Sequence, residues 1–151
     1  MAAMRLLYGF LLIAMIGASA PGSDEREAVA VVQKIFDGIA GHDGEMIRAN
    51  SLPEARLYAV RDTGAAPTST AVADMAAQIG AQKVALLERF TSPPQVLIRG
   101  RMAQVWGEYE FQRDGKFSHC GVDSASLMKT AEGWKIAAIA YTVETKGCKG
   151  Q

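Results

Sequence analysis

The chain has 151 residues, with 16 basic and 16 acidic side chains and a formal net charge of zero. That length fits a single domain, and the neutrality argues against nucleic acid as a partner, which selects a basic face. An apolar fraction of 49 % with 21 % charged residues excludes a disordered or fibrous chain, and two cysteines exclude a disulfide-dense scaffold or a four-cysteine metal site.

Residues 1–20 carry one basic side chain, Arg5, then an apolar stretch from Leu6 to Ile16, then small residues. This is the layout of a secretory signal peptide, and it is short for a transmembrane span, which needs about 20 residues. Ala18 and Ala20 offer an A-x-A cleavage site, but Pro21 would then begin the mature chain. Cleavage is therefore expected near residues 20–22, with a retained anchor as the alternative. Export to the periplasm or the extracellular space follows, with no stable membrane insertion unless the leader stays. In such an oxidising compartment Cys120 and Cys148 can close a disulfide; otherwise Cys120 is buried and Cys148 free in the tail.

From Asp24 the spacing of Val29, Val32, Phe36 and Ile39 predicts a helix, with acids in its first turn and Gly41 as its stop. His42 or Asp43 opens a second, short helix carrying Met46 and Ile47. Residues 55–62 read as a strand and TGAAPTST as a loop. Ser69 or Thr70 then caps a third helix with Val72, Met75, Ala76 and Ile79 on one side. Five runs rich in β-branched and aromatic residues follow: VALLERF, QVLIR, AQVWGEYEF, KFSHCGVDSASLMK and WKIAAIAYTVE. Asp114-Gly115 is the strongest hairpin signal between them, because both residues tolerate positive φ. Helices followed by a meander predict an α+β domain over residues 24–148.

Unbroken two-residue turns at Asp114-Gly115 and Glu132-Gly133 would pair Glu110 with His119, Trp106 with Asp123 and Asp123 with Thr142. Opposite residues share a face. One face then holds Val105, Tyr109, Phe111, Val122, Ile139, Tyr141 and Val143. The other holds Trp106, Glu108, Glu110, His119, Asp123, Leu127, Ile136, Thr142 and Glu144. A single bulge would flip part of this map.

The second face concentrates the chemistry. His119 can act as general base near neutrality, and Asp123 as base or orienter, its pKa raised in an apolar pocket. They lie four residues apart on one strand, about 13 Å, and so could flank a ligand but not form a dyad. Trp106 is a candidate cavity wall, Tyr58 could reach the pocket mouth, and Arg61 and Asp62 fall at a strand end with a rim role or simple solvation. Two histidines cannot build a three-histidine zinc site, and the chain has no HExxH, CxxC, EF-hand, GxGxxG, Walker A or GxSxG pattern. Neither a metal nor a cofactor is expected.

Residues 105–148, with Trp106, Tyr109 and Phe111 on one strand, HCGVD at 119–123, GWKI at 133–136 and the closing GC at 147–148, resemble the nuclear transport factor 2-like superfamily. The likeness is to its SnoaL-like and lumazine-binding bacterial groups. The resemblance implies a cone-shaped, cystatin-like fold: three N-terminal helices over a strongly bent antiparallel sheet, leaving a cavity. It also implies proton chemistry on an apolar ligand by His119 or Asp123, with Trp106 and Thr142 as cavity wall and Tyr58 and Asp62 as the nearest opposing groups. Homodimerisation through the outer sheet face, by Tyr109, Phe111, Tyr141 and Val143, is implied as well.

Three functions compete. The first is an exported domain binding a small apolar molecule; the second is an isomerase, dehydratase or cyclase working without a metal; the third is a homodimerising or partner-binding module. Cavity volume separates them: a volume below about 150 Å³ would sink the first two, since ligand sites usually exceed about 300 Å³.

Overall fold

The structure is a computed structural model that describes residues 22–148. The expected leader and its cleavage site lie outside the described residues. Helix α1 (Ser23–Ala40) buries Ala28, Val31, Val32, Ile35, Phe36 and Ile39, the full stripe of which the spacing had shown part. At its start the Glu25 carboxylate accepts the Gly22 N–H. Gly41 ends the helix as expected, but with a right-handed φ of −83°, and it is His42 that takes the left-handed position at φ 54°. His42 Nε2 bonds the Val84 carbonyl at 2.9 Å, a tether for that strained turn. Asp43 caps α2 (Gly44–Ala49) by accepting the Met46 N–H.

Strand β1 (Ser51–Arg61) begins four residues earlier than expected and tolerates Pro53 through an irregularity between Ser51 and Arg56. The segment read as a loop contains a short edge strand, β2 (Thr68–Ala71), antiparallel to β1. Ser69 and Thr70 are therefore in the sheet, and α3 (Val72–Gly80) starts after Ala71 with no side-chain cap. The remaining runs form β3 (Leu86–Phe90), β4 (Gln95–Arg99), β5 (Met102–Arg113), β6 (Lys116–Thr130) and β7 (Gly133–Val143).

The expected strongly bent antiparallel sheet is not what forms. The seven strands make one open sheet in the order β2-β1-β7-β6-β5-β3, with β4 also on β5, and β1 runs parallel to β7. No hairpin links β1 to β7, so their mutual direction is free of the antiparallel constraint that short turns impose elsewhere. The helices cover one face, and the core lies between α1, α2, α3 and that face, around Val32, Ile47, Val105, Leu127 and Ile136. Cys120 and Cys148 form a disulfide, with Cα atoms 5.9 Å apart, that ties the chain end to β6.

Two bulges reset the register. Asp114 and Gly115 do form the tight turn, both at positive φ, and Arg113 pairs with Lys116. One extra residue, Ser118, then shifts the ladder: Gln112 faces Phe117 but Phe111 faces His119 and Gly107 faces Asp123. A second irregularity lies between Ser126 and Leu127, and the β6–β7 turn sits one residue earlier than expected, with Thr130 opposite Gly133. The two-face map inverts accordingly. His119, Asp123, Leu127 and Ile136 join Val105, Tyr109, Phe111, Ile139 and Tyr141 on the helix-covered side, whereas Trp106 and Thr142 stay on the outside with Val122.

Candidate functional site

Ser51 and Asp123 are the buried polar side chains among the described residues. Ser51 is accounted for, since its hydroxyl donates to the Ile47 carbonyl at 2.9 Å. Asp123, 3 % exposed, sits in the middle of β6 on the covered face, where the alternation of the strand calls for an apolar residue. Its partner is Glu88 of β3, in the alternating run Leu86, Glu88, Phe90, and the two carboxyl groups share a hydrogen bond.

Both line a cavity of about 140 Å³ under α1 and α3, walled by Phe36, Leu57, Met75, Phe111, Ile139 and Tyr141. Glu88 is half-buried and lines this cavity, whose walls are largely apolar. Two larger hollows, about 550 Å³ beside α1 and Pro93–Pro94 and about 620 Å³ near Met102 and Met128, are surface grooves lined by neither Ser51 nor Asp123.

Burial dominates the electrostatics of the pair. It raises Glu88 well above the ordinary carboxyl range, and the neighbouring Asp123 charge and the shared hydrogen bond raise it further. Burial also raises Asp123, to about 7, against a smaller lowering from accepting the hydrogen bond of Glu88. The two titrate as a unit that retains at least one proton toward neutral pH, held by Glu88 and shared with Asp123. Tyr141 is raised by burial and by Glu88, and so stays a protonated phenol. Tyr109 is raised for the same reasons, but its hydroxyl is already committed, donating to the Thr142 carbonyl at 2.7 Å.

His119 lies one step along the same face. Its ring stacks on Phe111 at 4.9 Å and meets Tyr109 edge-on at 5.8 Å, and Nδ1 is 3.1 Å from the Ser118 hydroxyl. Burial and the Arg61 charge lower its pKa, leaving a neutral imidazole near neutrality. The other residues singled out from sequence are not gathered here. Trp106 and Tyr58 are 42 % and 41 % exposed on the outer face. Thr142 accepts the Val122 N–H and donates to Glu144, bridging β6 and β7. Asp62 accepts the Thr145 N–H beyond the end of β1. Glu88 had escaped notice, although a lone carboxylate at the apolar parity of VALLERF was its signal.

Among the described residues no group of three or more His, Cys, Asp or Glu side chains converges as metal ligands would. What the arrangement offers is acid–base chemistry. One carboxyl can donate while the other accepts, in a site walled largely by apolar side chains. At about 140 Å³ the cavity falls below the 150 Å³ line, which counts against both small-molecule readings as first framed and removes large apolar ligands. It still matches a benzene-sized molecule, which a cavity of about 150 Å³ accommodates.

No family model and no curated protein matches the sequence. Solved structures do. A nuclear transport factor 2-like superfamily protein from Salmonella enterica serovar Typhimurium superposes with a TM-score of 0.65 at 16 % identity, over 85 % of this chain and 96 % of that one. A protein of unknown function with a cystatin-like fold from Nostoc punctiforme gives 0.66 at 10 % identity, over 85 % and 97 %. A nuclear transport factor 2-like family protein from Streptomyces avermitilis, provisionally described as a dehydratase, gives 0.64 at 14 % identity, over 80 % and 96 %. The chain thus has the nuclear transport factor 2-like, cystatin-like fold.

Proposed function

We propose that this chain binds a small, ring-sized molecule beneath its helices and moves a proton on it, with Glu88 and Asp123 as acid and base. The observation that carries this reading is the carboxyl pair itself. A fully buried Asp123 hydrogen-bonded to Glu88 contributes little to stability, because two carboxyl groups out of water cost more than their mutual bond returns. Such a pair is retained where its perturbed protonation is used. The reaction class is proton transfer next to a carbonyl, or loss of a hydroxyl group, as in an isomerase, dehydratase or cyclase. The provisional dehydratase from Streptomyces and the resemblance of residues 105–148 to SnoaL-like and lumazine-binding groups agree with this class. The leader-like first twenty residues and the disulfide support export to an oxidising compartment.

A small cyclic ketone in D₂O tests the chemistry. Deuterium uptake at the carbon beside the carbonyl of cyclopentanone, followed by NMR at pH 7, is expected with the wild-type chain. Asp123→Asn should slow it by about 100-fold or more, the usual contribution of a general base. Equal rates for wild type, Asp123→Asn and Glu88→Gln would overturn the reading.

A second reading rests on the outer sheet face. Trp106, Ser124, Ala140 and Tyr58 follow one another across four strands, two exposed aromatic rings with small residues between them. Leu97, Met102 and Met128 extend the apolar area, at 72 %, 60 % and 49 % exposure. A second copy of the chain would bury this face. The residues expected at that interface, Tyr109, Phe111, Tyr141 and Val143, fall on the opposite face by strand alternation, so this reading uses other contacts. Light scattering should report a dimer that Trp106→Glu converts to a monomer.

A further inference from the structure

Arg61 ends β1 on the same face as the cavity. Alternation along the strand puts Ala55, Leu57, Ala59 and Arg61 on the covered side; Leu57 lines the cavity, Ala59 pairs with Tyr141 and Arg61 pairs with Val143. The guanidinium therefore emerges one row beyond the row that holds Tyr141 and Asp123. Arg61 is exposed, and among the described residues it has no hydrogen bond and no ion pair. Its sequence neighbour Asp62 is turned away to the Thr145 N–H. His119 stands at the same end of the sheet, stacked on the cavity residue Phe111 and with Nε2 unpartnered among the described residues. The Arg61 charge acts on both His119 and Tyr141, the latter a wall of the cavity.

The geometry points to an anionic ligand: we propose that the cavity takes a small ring carboxylate, its carboxylate held by Arg61 beside His119, its ring against Phe111 and Tyr141, and its opposite hydroxyl or carbonyl on Glu88 and Asp123. This deepens the acid–base reading and rests on it. The dimensions agree. Arg61 and Asp123 are separated by one row, about 7 Å, along the strands and by two interstrand spacings, about 10 Å, across them. The arginine side chain spans part of that diagonal and a single substituted ring spans the rest. The polarity agrees too. The floor of the site holds a proton and tolerates a neutral oxygen, whereas a carboxylate is repelled there and attracted at the rim, so the ligand has one orientation. Arginine suits the role because its planar fork bonds a carboxylate at two points and keeps its charge at any pH.

Paired probes test this on the full chain: 4-hydroxybenzoate and its neutral isostere 4-hydroxybenzamide, titrated at pH 6 and followed by amide NMR shifts at Asp123, Tyr141 and His119. The acid should bind at least about tenfold more tightly than the amide, as a charge-assisted contact predicts. Arg61→Ala should weaken the acid far more than the amide and so abolish that preference, and Arg61→Lys should keep part of it. Arg61 is exposed, and an unchanged spectrum of the unliganded variant verifies its fold. Equal affinity of the two probes for wild type, or an unchanged ratio in Arg61→Ala, overturns the anionic-ligand assignment and leaves the acid–base reading standing. If neither probe shifts the cavity residues at millimolar concentration, both fall.

Discussion

Asp123 carries the largest consequence of any single side chain. Its carboxyl titrates near 7 in the folded chain against 3.8 for an ordinary aspartate, so the folded state holds a proton that the unfolded state has released. Stability therefore falls as pH rises through that window. His119 acts oppositely: its lowered pKa makes the unfolded state the better proton binder, and stability falls as pH drops below about 6.5. Between pH 6.5 and 8 the carboxyl pair dominates, and the melting temperature should drop by roughly 2–8 °C. Asp123→Asn should flatten that slope, as scanning calorimetry at several pH values would register; an unchanged slope would mean that the pair is not strained by burial. Tyr109 tests a structural role. Tyr109→Phe leaves the Thr142 carbonyl without its donor and should cost about 1–3 kcal/mol in urea unfolding.

At the scale of elements, the bulge at Ser118 matters most. Without it, the Asp114-Gly115 turn would propagate a regular ladder and turn His119 and Asp123 to the outside. Deleting Ser118 should therefore remove the bulge yet keep Asp123 opposite Gly107 and Leu127 opposite Ala103 beneath the helices, with a cooperative transition by circular dichroism. A chain that still melts cooperatively with Asp123 exposed would refute this account of the register. The β6–β7 seam is equally specific. The backbone of Val122 bonds the Thr142 side chain, and a Cβ on Gly121 would stand 2.2 Å from the Thr142 carbonyl oxygen. Because that neighbour is backbone, Gly121→Ala cannot be relieved by a rotamer change, and it should destabilise by about 2 kcal/mol or more. Both features are silent in the sequence, where Ser118 and Gly121 look like ordinary strand residues.

Across the whole molecule, the disulfide closes a loop of 28 residues' separation around β7. Chain entropy puts its contribution at about 3–4 kcal/mol. Chemical unfolding of Cys120→Ser/Cys148→Ser should show a loss of that order, and a difference below about 1 kcal/mol would show that the chain end is held by packing alone. The packing concerned is modest, since β1 and β2 end one side of the sheet, β3 and β4 the other, and no closure joins them. Cavity size is another property of the whole molecule. Met75 and Ile79 of α3 and Ile35, Phe36 and Ile39 of α1 reach the sheet from two directions and leave about 140 Å³ between them.

Local chemistry alone determined a good deal of this protein. Helical spacing located α1 and α3, β-branched runs located β3 to β7, Asp114-Gly115 located a turn, and the residues of 105–148 pointed to the fold. Each of these depends on neighbours within a few positions, which a linear reading contains. Tertiary structure decided the parallel β1–β7 pairing, the small edge strand β2, the inverted faces and the meeting of Glu88 with Asp123. Each depends on register or on contact between segments far apart in the chain. A period of two makes a strand's faces legible only up to one inserted residue, and here that residue is Ser118. Its insertion is why an aspartate that local alternation assigned to the outer face lies beneath the helices with a glutamate 35 positions before it in the chain.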